Sequence, residues 1–303
     1  MSTPKLSVIV ICYNMQRELP RTLFTLSCDY QKNIDLSDYE IIVIDNGSKN
    51  KPLQEGFNAD IKYLTYINPT HSPAKAINMG FSQAKGELIG LLIDGARMAS
   101  PNLLSAAISA SNLHKNPVIS SMAYHLGNQV QMKSVLAGYD QDAEDKLLST
   151  VDWKNNGYKL FEISVLAGSS SNGWFLPIAE SNAFFLKTNS WKILGGIDER
   201  FQSAGGGLVN LDIYKRAVEL PNSKLISLLG EGTFHQVHGG IATNLRRADA
   251  SWYIFNEEYK SIRGEYYKRA EITPSFFGEL RPEHACFLEE SITKYNLNNS
   301  HKK

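Results

Sequence analysis

The pattern of apolar and polar positions in the first third of the chain predicts alternating strands and helices. Apolar runs rich in β-branched or aromatic residues predict strands at residues 5–13, 39–45, 61–67 and 87–93. Apolar residues at helical spacing predict helices after Asn14, after Ser72-Pro73 and after Ser100-Pro101. This β-α-β-β-α-β-α order favours an α/β fold with a largely parallel sheet between helices.

The rest of the chain has a less regular pattern. Short helices are predicted from Ser190 to the glycines at 195–196 and over 210–220, and an aromatic-rich helical region is predicted from Asn244 onward. Neither an internal repeat nor a linker composition is visible. We therefore expect one compact domain over 1–240, made of two halves (1–115 and 116–240), followed by a helical C-terminal appendage over 241–303.

Composition excludes several classes of protein. The 303 residues suffice for a large core, and the equal numbers of basic and acidic residues, 31 each, argue against a nucleic-acid partner. The three cysteines have no metal-ligand spacing and argue against a disulfide framework. Because no apolar run could cross a bilayer and no signal-peptide pattern opens the chain, we expect a cytoplasmic protein.

Polar residues follow three of the predicted strands at the sheet edge where open α/β folds bind ligands. We predict a nucleotide site there, in which Asp45 accepts a hydrogen bond from N3–H of uracil or thymine. Asp94 accepts from ribose hydroxyls or holds a metal, while the alternative is that each Asp only caps a turn. The candidate nucleotide-sugar-binding residues at the strand ends are Tyr13, Asn14, Asp45, Asp94, Gly95 and Arg97.

The common nucleotide motifs are missing from the sequence. No G-x-G-x-x-G follows a predicted strand, and no G-x-x-x-x-G-K-[ST] occurs. This argues against a dinucleotide-dependent dehydrogenase and against a P-loop enzyme.

Five blocks of sequence carry a family resemblance. They lie at 6–14, 39–48, 78–94, 194–201 and 212–216. In this order they resemble family 2 glycosyltransferases of the GT-A fold, the nucleotide-diphospho-sugar transferase fold. The resemblance implies an inverting transfer of a sugar from a nucleotide-diphosphate donor, with UDP or dTDP favoured by Asp45. It also implies a saccharide or lipid-linked acceptor and a place in polysaccharide biosynthesis, with 1–115 as the nucleotide-binding half of the domain and 116–240 as the acceptor-side half.

The sequence departs from the family at two catalytic positions. Ala96 stands where the second Asp of the metal-binding Asp-x-Asp is expected, and Val209-Asn210 replaces the Glu-Asp that supplies the base. Arg97 could bind phosphate in place of a metal. The spacing of His235 and His238 suits one shared nucleotide-sugar-binding site, in which they donate to phosphate or bind a metal, while a structural role is the alternative for each. A requirement for Mn²⁺ or Mg²⁺ therefore stays open, with Asp94, His235 and His238 as the ligands of any metal.

Of three carboxylates weighed for the catalytic base, Glu180 and Asp212 are the candidates, because Asp198 lies in the family-like Gly-Gly-Ile-Asp block, where a loop-fixing role is more usual. Asp212 lies closest to the lost motif, although a charge at a helix N-terminus is its alternative role. Glu180 precedes an apolar, strand-like stretch and could reach an acceptor pocket, although it could also be an ordinary surface residue. His125, Gln131, Trp153 and Trp174 could furnish an acceptor cleft, the Trp residues having a core position as their alternative.

Two further hypotheses compete with an active transferase. An inactive GT-A-fold protein that binds nucleotide sugar or glycan is the main alternative. The other is a nucleotidyltransferase, but this sequence lacks the Gly-rich basic loop that such an enzyme has after its first strand. Basic and aromatic residues in the C-terminal region could contact the inner face of a membrane, but packing on the domain or in a homodimer is the alternative. The basic residues concerned are Arg246, Arg247, Lys260, Arg263, Lys268 and Arg269.

Overall fold

A computed structural model describes residues 3–53, 55–238 and 248–300. The strands are β1 (Leu6–Cys12), β2 (Tyr39–Asp45), β3 (Ile61–Thr65), β4 (Leu88–Leu92), β5 (Arg97–Ala99), β6 (Pro117–Leu126), β7 (Ser164–Leu166), β8 (Phe184–Lys187), β9 (Lys224–His235) and β10 (Ser275–Gly278). The helices are α1 (Glu18–Leu26), α2 (Ala74–Gln83), α3 (Leu103–Ala110), α4 (Gln131–Leu136), α5 (Gln141–Leu148), α6 (Thr188–Leu194), α7 (Val209–Val218), α8 (Ala248–Arg263) and α9 (Ala285–Ser300). The strands and helices predicted for the first third of the chain are thus present.

One mixed sheet organises the described residues. Its strand order is β10-β9-β6-β8-β4-β1-β2-β3, with β5 also paired to β9 and β7 to β6. The β1, β2, β3 and β4 pairings are parallel, and β8 joins the two halves as the antiparallel neighbour of both β4 and β6. The largely parallel sheet expected from the sequence is therefore confirmed.

The core lies on both faces of the sheet. Alternate residues of β1 point to opposite faces, so Val8 and Val10 pack with α1 and α3, while Ile9 and Ile11 pack with α2, α6 and α7. Helices on both sides explain why every residue of β1 is buried. A third apolar cluster fills the second half of the molecule and contains Trp174.

The length of β9 brings three polar residues together. Its first half pairs with β10 and its last three residues pair with β5, while β6 runs parallel along its other side. In this register Arg97 of β5 lies opposite His235 of β9, and His235 lies opposite His125 of β6. Directly paired residues share one face of a sheet, so the three side chains form a row.

The C-terminal segment packs on the domain. Besides α8 and α9 it contributes β10, which extends the sheet, and both Tyr259 and Phe287 are buried. Trp252 and Tyr253 of α8 are exposed. The boundary expected at 240, and with it Arg246 and Arg247, lies outside the described residues. Among the helices described, none combines the length and apolarity needed to cross a membrane.

Candidate functional site

The loop after β4 is held in place from two sides. Thr22 of α1 donates its hydroxyl hydrogen to the Gly95 carbonyl at 2.7 Å, and the Gln236 backbone N–H donates to the Ala96 carbonyl at 2.9 Å. Within the loop, Asp94 Oδ1 accepts the Ala96 N–H at 3.0 Å. These contacts leave Asp94 Oδ2 facing the end of β9.

Asp94 and two histidines converge on one point. Asp94 Oδ2 lies 2.8 Å from His235 Nε2 and 3.1 Å from His238 Nε2, and the two Nε2 atoms are 3.1 Å apart. One ligand atom from each residue therefore lies within 4.8 Å of the other two. A carboxylate oxygen and two imidazole nitrogens in this arrangement could hold a divalent cation.

Burial and the charges within this cluster shift the pKa of each of its three residues. Burial, with the Arg97 charge adding to it, lowers the pKa of His235 to about 3, so this ring is neutral at neutral pH. Burial alone would raise the pKa of Asp94, but the two histidines outweigh it and hold that pKa well below its usual range. Burial alone would lower the pKa of His238, but the charge and hydrogen bond of Asp94 outweigh it, and the pKa of His238 is raised.

Arg97 is a buried cation next to Asp94. The residue is 9% exposed, and its Nε lies 4.0 Å from Asp94 Oδ2, too far for a hydrogen bond. Within the described part of the chain, neither Nε nor Nη1 has a hydrogen-bond partner. Since buried donors are nearly always satisfied in folded proteins, these N–H groups could bind an anion beside Asp94.

His125 and Gln131 complete the row on the other side of His235. The Gln131 backbone N–H donates to His125 Nδ1 at 2.8 Å, and Gln131 Oε1 contacts His235 Nδ1. Burial, with the charges of His235 and Arg97, lowers the pKa of His125 to about 2. The structure therefore brings these two candidate acceptor residues to the Asp94 cluster.

Residues that the sequence analysis missed anchor the segment that carries His238. The Val237 N–H donates to Glu144 Oε2 at 2.7 Å, and Arg17 donates both to the Val237 carbonyl at 3.4 Å and to Glu144 at 3.2 Å. Burial raises the pKa of Glu144 to about 7, although the hydrogen bond from the Val237 N–H and the charge of Arg17 both act to lower it. No local pattern marks these side chains, since their partners are distant in sequence.

A cavity opens beside His238. Its volume is about 480 Å³, and it is lined by residues 135, 139–142, 237 and 238.

The loops after β1 and β2 form a second polar area at the same edge. Asp45 is buried, and its Oδ1 accepts the Ser48 N–H at 2.8 Å. Asn14 ties the two loops together: its N–H donates to Ser48 Oγ at 2.8 Å, and its Oδ1 accepts the Lys49 N–H at 3.0 Å. Tyr13 is 53% exposed beside them. Since Cys12 pairs with Asp45, and β1 also pairs with β4, these loops and Asp94 follow neighbouring strands.

Ala96, where the sequence departs from the Asp-x-Asp pattern, points into the core. It is fully buried in the apolar cluster that includes Leu19 and Leu23. A carboxylate at this position would be buried among apolar side chains at a high cost in free energy. The histidines at the end of β9 instead supply polar atoms next to Asp94.

Glu180 lies in a hydrogen-bonded cluster of its own. It is 1% exposed; its Oε2 accepts the Ser169 and Ser170 hydroxyl hydrogens, and its Oε1 accepts the Asn182 N–H at 2.9 Å. Each carboxylate oxygen thus has a donor within the segment that connects β7 to β8.

Asp212 lies in a cluster of arginines. It is fully buried; its Oδ1 accepts from Arg263 Nε at 2.6 Å, and its Oδ2 accepts from Arg216 Nε at 2.8 Å. Arg263 also pairs with Asp198 at 2.9 Å, and Arg200, together with Arg263, lowers the pKa of Asp198. The structure brings neither Asp212 nor Glu180 into the hydrogen bonds described for Asp94, and the role of base stays a prediction for both.

The two candidate acceptor tryptophans lie in the core. Trp153 is 7% exposed and Trp174 is 2% exposed, both within the third apolar cluster. Their alternative role, packing, is the one the structure describes.

Comparison with known families finds one match within the chain. Residues 7–112 match the model of glycosyl transferase family 2, which confirms the resemblance over this segment. The segment includes Asp45, Asp94 and Arg97 but neither His235 nor His238. A comparison with curated protein sequences found no match.

Solved structures share the fold. TarS from S. aureus in complex with UDP aligns with a TM-score of 0.54 at 14% identity, over 85% of this chain and 72% of that one. TarS with UDP-GlcNAc aligns with a TM-score of 0.54 at 13% identity, over 96% and 72%. A longer TarS structure is matched over only 43% of its length. The predicted α/β fold of the GT-A type is therefore confirmed.

Proposed function

Taking residues 7–112 as a family 2 glycosyltransferase segment on a GT-A fold, we propose that the protein transfers a sugar from a nucleoside-diphosphate donor to a hydroxyl of a saccharide or glycolipid. The observation that carries the proposal is the buried Arg97 guanidinium beside Asp94, His235 and His238. A diphosphate oxygen at Arg97 would satisfy donors that no described residue satisfies, and the cluster beside it offers ligands for a cation.

The base of the donor is a pyrimidine with an N3–H in this proposal. Asp45 is buried at the strand end, and its Oδ2 has no hydrogen-bond donor among the described residues, so it could accept that N3–H. TarS, whose fold this chain shares, binds UDP and UDP-GlcNAc. Both arguments favour a UDP- or dTDP-sugar.

The residues present fit a divalent cation. Asp94 Oδ2 and the Nε2 atoms of His235 and His238 converge, and the Nδ1 of His235 is already paired with Gln131, as is usual for a metal-bound histidine. Mixed imidazole and carboxylate ligands suit Mn²⁺ better than Mg²⁺, which prefers oxygen alone. When bound there, such a cation would neutralise charge on the leaving diphosphate.

The chain's own side chains account for donor binding and for the leaving group. Arg97 would hold a diphosphate oxygen through its unused N–H groups and stabilise the negative charge that develops there. In the inverting reaction the acceptor oxygen bonds to the anomeric carbon as the bond from that carbon to the diphosphate breaks. The acceptor proton passes to a carboxylate, for which Glu180 and Asp212 are the candidates from sequence.

A thermal-shift panel tests donor binding. UDP, dTDP, GDP and CDP are each added with Mn²⁺ or with EDTA, at about 100 times the expected dissociation constant, where binding adds about 2.7 kcal/mol to the free energy of unfolding. We expect the largest shift for UDP or dTDP with Mn²⁺. A shift of equal size in EDTA would remove the metal from the proposal and leave Arg97. No shift with any nucleotide would contradict it and favour the non-catalytic alternative.

A further inference from the structure

Gln131 is buried next to the cluster formed by Asp94, His235 and His238, and its side chain contacts His235 directly. The residue opens α4 and is 1% exposed, with Oε1 against His235 Nδ1. Its backbone N–H donates to the neighbouring ring, at His125 Nδ1. One residue thus contacts the Nδ1 atoms of both histidines, with an acceptor for one ring and a donor for the other.

These contacts specify a different tautomer for each ring. A carbonyl oxygen can only accept, so the nitrogen facing Gln131 Oε1, Nδ1 of His235, carries the hydrogen. A neutral His235 then has a bare lone pair at Nε2. At His125 the backbone N–H donates to Nδ1, so the hydrogen of that neutral ring lies on Nε2.

The lone pair at His235 Nε2 faces the Asp94 carboxylate. It lies 2.8 Å from Asp94 Oδ2, which is also an acceptor. Two acceptors at hydrogen-bond distance repel each other unless a proton or a cation lies between them. Fixing the hydrogen on Nδ1 therefore suits His235 to bind a cation at this point.

We propose that Gln131 is a positioning residue that fixes His235 as the Nδ1–H tautomer and directs its Nε2 toward a divalent cation shared with Asp94 and His238. The inference rests on the proposed cation at the donor site. Its claim about the tautomer, however, concerns the metal-free protein and can be tested there. Residues that orient a metal-bound histidine typically change metal affinity by about 10- to 100-fold when replaced.

The first experiment reads the tautomers without metal. Imidazole ¹⁵N shifts are recorded for ¹⁵N-labelled protein at pH 8 in EDTA. We expect hydrogen on Nδ1 of His235 and on Nε2 of His125 in the unaltered chain. Gln131→Met removes the side-chain acceptor and should release His235 from its tautomer, while His125 stays unchanged because the backbone N–H remains. Hydrogen on Nε2 of His235 in the unaltered chain would overturn the inference.

The second experiment measures Mn²⁺ affinity by calorimetry. Gln131→Met should bind Mn²⁺ about 10- to 100-fold more weakly than the unaltered chain, and Gln131→Glu, which keeps an acceptor facing Nδ1, should restore binding. Gln31→Met is the matched control: Gln31 is 5% exposed and hydrogen-bonded to Thr25 and Ser100, away from the histidines.

The outcomes separate this inference from the proposed function. Unchanged Mn²⁺ affinity in Gln131→Met overturns the positioning role even if the unaltered chain binds Mn²⁺ and UDP. Absence of Mn²⁺ binding in the unaltered chain contradicts the proposed cation and overturns the cation part of the inference, while the ¹⁵N spectra still decide whether Gln131 sets the tautomer.

Discussion

Asp94 and Asp212 are both carboxylates from family-like sequence blocks, yet their surroundings differ. Asp212 is fully buried and receives N–H groups from Arg216 and Arg263, so fixed cations of the protein match its charge. Asp94 is partly accessible and faces two histidines, with the unused donors of Arg97 nearby. The first cluster is complete in the folded chain, whereas the second leaves the Nε and Nη1 donors of Arg97 without a partner among the described residues.

This difference separates a stabilising role from a binding role. A complete cluster costs stability when one member is removed, because the remaining charges lose their partner. An incomplete cluster contributes little to the fold and much to binding, because its unsatisfied groups gain partners only from the ligand. Four variants test the comparison.

Among the four variants, Asp212→Asn should have the largest effect, and this effect is on the stability of the fold. Loss of the charge that pairs with Arg216 and Arg263 should lower the free energy of unfolding by about 3 kcal/mol, measured by urea denaturation. Glu219→Gln is the control, since its pair with Lys215 on the same helix is partly exposed and should cost about 0.5 kcal/mol. A stable variant that binds UDP but has lost turnover would instead support Asp212 as the base.

Asp94→Asn should act more strongly on metal binding than on the fold. The amide can still accept the Ala96 N–H but lacks the charge that faces the two histidines. We expect Mn²⁺ affinity to fall about 100-fold or more in calorimetry, since replacing residues that merely orient ligands already costs 10- to 100-fold. Asp38→Asn, which alters a surface pair with Lys5, should bind normally. Unchanged Mn²⁺ affinity in Asp94→Asn would break the comparison.

Arg97→Met should weaken nucleotide binding without weakening the fold. Charged hydrogen bonds contribute about 1.5–3 kcal/mol, so UDP affinity should fall by at least about 10-fold. Removing a buried cation with two unpartnered donors should leave the melting temperature unchanged or raise it. Arg200→Met, at an exposed arginine, serves as the control. A lower melting temperature together with full UDP affinity would show that Arg97 is structural.

His125→Asn should make stability less sensitive to acid. The pKa of His125 is about 2 in the folded protein and near 6.5 when unfolded, so the unfolded chain binds more protons between these values. Stability therefore falls as pH falls through this window, by about 1 kcal/mol from pH 6.5 to 5.5 for one histidine. In urea unfolding curves recorded in EDTA, the variant should lose the share of the pH dependence that comes from His125. The share that comes from His235 should remain. Equal slopes for both proteins would contradict the burial of a neutral His125.

The local pattern of the sequence determined much of the fold and part of the candidate site. Continuous apolar runs located β1, β2 and β4, because strands covered on both faces exclude polar residues. The turn residues after them located Asp45 and Asp94, since parallel strands end at a common edge. Ala96 and Asn210 were visible as departures because the family pattern gives each position a role.

Only the tertiary structure decided which distant residues meet Asp94. His235 is separated from it by 141 positions, and the pairing of β9 with β5 and β6 puts Arg97, His235 and His125 in one row. The sequence offered Gln131 only as a candidate for an acceptor cleft and gave no signal for Glu144, because each acts through a hydrogen bond across the fold. Strand periodicity is a property of neighbours along the chain, whereas pairing register, and with it the choice of partners for a buried polar group, depends on the whole packed sheet.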